Sequence, residues 1–384
     1  MSEVAVRRRW PRNAAYGLAG LAVLVPTGTA GAGWYFATRV IDASAPREYP
    51  LEIRGFDGST VVLNRTADSA LDVPLALVWP DGYATLGGVV GGDRATVVRE
   101  VCGVQGTLRP GLRAYASGSV YRGDPQVARG LAFHYVEVVG DLGPMPAWLV
   151  PPRPGAVARS TWVIAVHGRA ANRTEALRVL PVLAGLGLPT LVVSYRNDEG
   201  APRSADRYYH LGHKEWRDVV AAVAYAQRHG ARDVILYGWS MGGATVLNAS
   251  CRLSPGVVRA LVLDCPVIDW LSTLYHNARG RGLPPPLAWA AVRLVERRLG
   301  VRLTDLDQRR HADAPEVPTL LFLDTADGTV EPEPAREYAA ARPLARVVET
   351  AGAGHTRSWN LDPAAYEAAL SVFLGTVLDA PETR

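Results

Sequence analysis

The sequence predicts an α/β protein: a mostly parallel central sheet flanked by helices, with a small lid over one edge. Three observations predict it. Thr161–Val166, Val234–Tyr237, Arg259–Leu263 and Thr319–Leu323 are almost wholly apolar runs without alternation, the pattern of strands buried on both faces of a parallel sheet. Helical stretches alternate with these runs from about residue 146 onward, which is the order a layered α/β domain requires. Val234–Tyr237 leads straight into Gly238-Trp239-Ser240-Met241-Gly242-Gly243, where a strand must turn sharply into a helix.

The chain is long enough for one large or two modest domains, and with 48% hydrophobic residues it can fill a sizeable core. Its net charge of +4 is mild and partly local to the N-terminus, so nothing points to a nucleic-acid surface. Cys102, Cys251 and Cys265 are scattered without metal-ligand spacing. No metal or organic cofactor is expected, and the oligomeric state is open.

Residues 1–42 read as a basic tip and a membrane anchor. Arg7, Arg8, Arg9 and Arg12 precede an uncharged stretch from Asn13 to Thr38, long enough for the roughly 20 residues a hydrocarbon core demands. Trp34, Tyr35 and Phe36 stand where an aromatic belt would lie. The arginines favour a cytoplasmic N-terminus, a single pass and an extracytoplasmic main domain. A cleaved signal peptide ending near Ala30-Gly31-Ala32 is the alternative, giving a secreted protein.

Residues 43–129 read as a β-rich accessory segment. Val61–Leu63, Leu75–Trp79 and Ala95–Val98 are short strand-like runs, separated by turn sequences such as Pro80-Asp81-Gly82. The segment carries no recognisable chemistry and reads first as a spacer, with a role in shaping access as the second reading.

Residues 130–384 read as the α/β domain, whose chemistry the motifs below carry. Glu175–Leu186 is helical with Pro181 as a kink, His213–His229 is a second helix, and Ala365–Leu378 a last one. Residues 266–317 form a modest lid region with one helix over Ala288–Leu299; Trp270, Tyr275 and Trp289 either line the pocket or belong to the core.

Gly-x-Ser-x-Gly at such a turn thrusts the central serine out, since Gly238 and Gly242 bring no Cβ into the crowded bend. A serine hydroxyl needs an adjacent base, and a histidine base needs a carboxylate to orient it. His355 lies in the glycine-flanked loop Ala351-Gly352-Ala353-Gly354-His355-Thr356, and Asp327 in a turn directly after the strand Thr319–Leu323. Both therefore fall at the C-terminal edge of the sheet, where open α/β sheets place ligands. Asp324 is the rival acid, but it ends the strand itself. Negative charge on a reacting carbonyl oxygen calls for waiting backbone N–H groups. Met241 supplies one, and Arg169, following His167-Gly168, the other; Gly168 lets that loop come close, and His167 orients it.

The chain from about Gly130 onward resembles the α/β-hydrolase superfamily of serine hydrolases, nearest its serine aminopeptidase-like and monoacylglycerol-lipase-like branch. The resemblance rests on His167-Gly168-Arg169, Gly238-Trp239-Ser240-Met241-Gly242-Gly243, Asp327-Gly328-Thr329-Val330 and Gly354-His355. It implies nucleophile Ser240, base His355, orienting acid Asp327 and oxyanion donors Met241 and Arg169, acting on a small-molecule or lipid acyl substrate. Ester cleavage through an acyl-enzyme is the expected reaction. Amide or peptide hydrolysis and acyl transfer share the same triad, and a non-catalytic scaffold at the cell envelope is the alternative of another class. Arg169 departs from the pattern, since relatives often have a smaller or amide residue after the His-Gly pair.

Overall fold

A computed structural model describes residues 31, 33–311 and 316–380 of the protein. A helix over residues 33–41, α1, leads into a barrel and then into a large sheet. Residues 13–30 of the expected membrane span lie outside the described residues. Its end takes a different place from the one expected. Phe36, Ala37, Val40 and Ile41 are buried in the core of the sheet domain, because their spacing makes one apolar helix stripe. The Arg298 guanidinium lies 3.6 Å from the centre of the Trp34 ring, and the Tyr35 hydroxyl donates to Glu48 at 2.7 Å. Phe36 is thus part of a docking contact, while Trp34 and Tyr35 stay more than half exposed. Among the described residues no helix is long and apolar enough to cross a membrane.

Strands β1 (Leu51–Phe56), β2 (Thr60–Asn64), β3 (Leu75–Trp79), β4 (Gly82–Gly92), β5 (Thr96–Gln105) and β6 (Arg113–Ser117) close into a barrel in the order β1-β2-β5-β4-β3-β6. Alternation sets its inside: Leu51, Ile53, Val61, Leu63, Leu77 and Trp79 meet in a core of their own. Arg99 is fully buried, and its guanidinium donates to the carbonyls of Ser69, Leu71, Val73 and Gly87. That holds the loop between β2 and β3 against β4. A short helix α2 (Pro125–Arg129), capped by Asp124, leads out.

Strands β7 (His134–Gly140), β8 (Gly143–Val150), β9 (Thr161–Val166), β10 (Thr190–Val193), β11 (Asp233–Trp239), β12 (Val258–Asp264), β13 (Thr319–Asp324) and β14 (Ala345–Thr350) form one sheet ordered β14-β13-β12-β11-β9-β10-β8-β7. β8 pairs antiparallel with both β7 and β10; the other pairings are parallel. Successive residues of β11 face opposite layers. Val234 and Leu236 join the core covered by α1, α4 (Trp216–Arg228), α5 (Met241–Ser250), α6 (Trp270–Gly280), α7 (Pro285–Leu299) and α8 (Glu333–Ala340). Ile235, Tyr237 and Trp239 join the core under α3 (Leu180–Gly185), α9 (Ser358–Leu361) and α10 (Pro363–Asp379). The result is a three-layer sandwich.

Two sequence expectations need correction. Glu175–Leu186 is not one kinked helix: a tight 3-10 turn over Arg173–Arg178 precedes α3, and Pro181 opens α3, where its missing N–H costs nothing. The lid region holds two helices, not one, since Asp269 caps α6 by accepting from the Leu271 and Ser272 amides. Trp270 is core, whereas Trp289 is 55% exposed on the outer face of α7.

Candidate active site

Ser240 sits between β11 and α5 with φ 52° and ψ −116°, a backbone state that costs energy for a residue with a Cβ. Neighbours hold it there. Its amide donates to the Asp264 carbonyl at 2.9 Å, and its carbonyl accepts from the amides of Gly243 at 2.9 Å and Val267 at 3.1 Å. Glycine is required around it: a Cβ on Gly242 would lie 2.1 Å from the Val166 carbonyl oxygen, and one on Gly238 2.5 Å from that of Gly242.

Asp327 occupies the turn after β13 and His355 the loop after β14. His355 Nε2 lies 2.8 Å from Ser240 Oγ and His355 Nδ1 2.6 Å from an Asp327 carboxylate oxygen. The other Asp327 oxygen accepts from the amides of Thr329 at 2.7 Å and Val330 at 2.9 Å. Burial alone would raise this carboxyl; the His355 ring and the two amides outweigh it and hold Asp327 below its ordinary value. Asp324 lies elsewhere in the network: it accepts from Thr350 Oγ1 at 2.8 Å and from the Ala353 amide at 2.9 Å. It shapes the histidine loop without touching the ring.

Met241 begins α5, so its amide belongs to the first turn, which has no intrahelical acceptor. The Gly168 loop faces it: a Cβ on Gly168 would lie 3.2 Å from Ser240 Cβ. Gly168's own amide donates to the Glu175 carboxylate at 2.8 Å, which leaves the next amide, Arg169, as the one the loop offers. His167 is buried. Its Nε2 lies 2.7 Å from Asp198 and its Nδ1 2.9 Å from the Gly168 carbonyl, which also accepts from the Tyr195 hydroxyl at 2.9 Å. Burial alone would depress the imidazole; the Asp198 carboxylate outweighs it and keeps His167 above its ordinary value. Bonded at both nitrogens, the buried His167 ring fixes the loop.

Residues that the sequence did not single out complete the frame. Arg178, fully buried, donates to the Thr356 carbonyl at 2.7 Å and to Asn360 Oδ1 at 3.0 Å. Its Nη2 lies 3.8 Å from Glu175, the acceptor of the Gly168 amide. Asn360 Nδ2 donates to the carbonyls of Pro74 and Gly118 at 2.8 Å each. One buried guanidinium therefore ties the Gly168 loop, the histidine loop and the barrel together. The available signal was Glu175 and Arg178, two charges on an otherwise apolar stretch. Among the described residues, one group could hold a metal: donor atoms of Cys265, Asp327 and His355 lie within 4.8 Å of one another. Its imidazole and carboxylate are already bonded to each other.

Residues 163–369 match the family described as Alpha/beta hydrolase family, and residues 52–117 match a domain of unknown function (DUF8805). No curated protein matches the chain. Among solved structures, an esterase from Pyrococcus furiosus is similar at 19% identity and a TM-score of 0.54, over 66% of this chain and 94% of that one. A puromycin-hydrolyzing peptidase from Mycobacterium tuberculosis is similar at 21% identity and a TM-score of 0.53, over 77% of this chain and 46% of that one. At these identities the likeness is one of fold.

Proposed function

This chain belongs to the alpha/beta hydrolase family, and from that footing we propose that it is a serine hydrolase cleaving carboxylic esters through an acyl-enzyme. One observation carries the reading: the unbroken line from Asp327 to His355 to Ser240 Oγ, with contacts of 2.6 and 2.8 Å. His355 takes the serine proton as Oγ attacks the acyl carbon, and Asp327 holds the imidazole in the tautomer that can do so. The carbonyl oxygen becomes an oxyanion that accepts from the Met241 and Arg169 amides, reinforced by the positive end of α5. His355 then gives its proton to the leaving alcohol. Water, activated by the same ring, releases the acid and restores Ser240.

A fluorophosphonate probe tests the nucleophile. Stoichiometric labelling is expected, and none in Ser240→Ala, whose turnover of para-nitrophenyl esters should fall by up to about a millionfold. Labelling that survives in the variant would refute the assignment. Amide analogues run beside the esters separate the esterase from the peptidase reading, and with it the finer branch of the family. The Arg7–Arg12 cluster and the uncharged residues 13–30 support attachment to a membrane. On that reading the full chain stays with the membrane fraction after an alkaline carbonate wash, and a chain starting at Gly31 does not.

A further inference from the structure

The departure at Arg169 has company. Arg169 follows the glycine that packs on Ser240, and its guanidinium donates to the Arg39 carbonyl at 3.4 Å, near the end of α1. Arg47, in the link from α1 to β1, donates to the carbonyl of the next residue, Ala170, and lies 4.7 Å from the centre of the Tyr115 ring of β6. Arg281, just past α6, bonds Asn277 Oδ1 at 3.1 Å and faces the Phe36 ring. Asn277 also donates to the Thr329 carbonyl at 2.6 Å, two residues from Asp327, so the end of α6 borders the triad. The charges of Arg39 and Arg281 both act on Arg169, and those of Arg169 and Arg47 both act on Tyr209.

These guanidiniums differ from three others nearby. Arg39 pairs with Glu48 at 3.3 Å, Arg357 with Asp68 at 2.7 Å, and Arg279 with Glu331. Among the described residues Arg47, Arg169 and Arg281 have no carboxylate at ion-pair distance. They are held by carbonyls, an amide oxygen and aromatic faces, which orient a guanidinium without neutralising it. Arg47 and Arg169 meet at the Arg169-Ala170 loop, and Arg169 and Arg281 both lie against α1; like charges so placed repel, and a bound anion relieves that repulsion. The planar fork of arginine suits carboxylate and phosphate oxygens best. We propose that Arg47, Arg169 and Arg281 receive an anionic group, carboxylate or phosphate, on the acyl substrate of Ser240, so that the preferred substrates are esters bearing such a group. This rests on the serine hydrolase reading above.

The test compares the para-nitrophenyl ester of hexanoate with the mono-para-nitrophenyl ester of adipate, which differ by a terminal carboxylate. The kcat/KM ratio, adipate over hexanoate, is expected to be at least about ten and to fall toward one in Arg47→Gln/Arg281→Gln. A ratio of one or less in the native protein, or an unchanged ratio in the double variant, overturns the proposal. Calorimetric titration with adipate and, separately, with hexyl phosphate needs no turnover and distinguishes the two anions. Binding of either that weakens at least tenfold in the double variant, or in Arg169→Gln if the double variant does not fold, supports the rim; no binding of either overturns it. If neither ester is cleaved and Ser240 is not labelled, the hydrolase reading fails, and the titrations alone decide the anion site.

Discussion

Single side chains at this site do work that their neighbours make possible. Ser240 holds its strained conformation only because bare backbone passes on both sides. Gly242→Ala puts a methyl group 2.1 Å from the Val166 oxygen, a clash that should cost about 3 kcal/mol or more, read as a lower midpoint in urea. Asp327→Asn keeps the shape but offers the wrong partner to the ring, so turnover should drop about ten-thousandfold while KM changes little. His167 makes a pH-dependent contribution. Its folded pKa is raised above the ordinary 6.5, so the stability it adds is complete below that value and is lost as pH rises through the folded one. The urea midpoint should fall between pH 6 and pH 9, and fall less in His167→Gln. Ser240 and Asp327 stood out in the sequence because each sits in a turn after an apolar strand, and His355 because glycines flank its loop. The hold on His167 did not: its ring partners are Asp198, thirty-one residues on, and the Gly168 carbonyl beside it.

The elements show where local sequence stops being informative. Strands β9, β11, β12 and β13 announce themselves because burial on both faces leaves no polar residue to blur them. β4 hides, since glycines interrupt it and its far end is exposed. α6 hides too, because its apolar residues are few and its start depends on Asp269 as a cap. The end of the expected membrane span was apolar for another reason: α1 needs that stripe to dock. α9 is four residues long yet carries Asn360, which no periodicity could mark. Asn360→Ala would strand two barrel carbonyls and one face of Arg178. Unsatisfied buried groups of this kind cost about 1–3 kcal/mol each, so a drop of several degrees in Tm is expected, with kcat falling more than KM changes.

At the scale of the whole molecule, the class of fold was readable because the large sheet repeats one pattern many times. The closure of the first six strands into a barrel was not, because closure depends on β1 meeting β6 across sixty residues and no local signal records that pairing. Nor did the sequence show that the barrel is more than a spacer. Asp68, Pro74 and Gly118 of that region each bond to Arg357 or Asn360, within five residues of His355. The segment that carries His355 is thus clamped from outside its own domain. Gentle heating offers a direct reading of that arrangement: catalytic competence should fade as the small cylinder loosens, at temperatures where the circular dichroism of the great sheet is still intact.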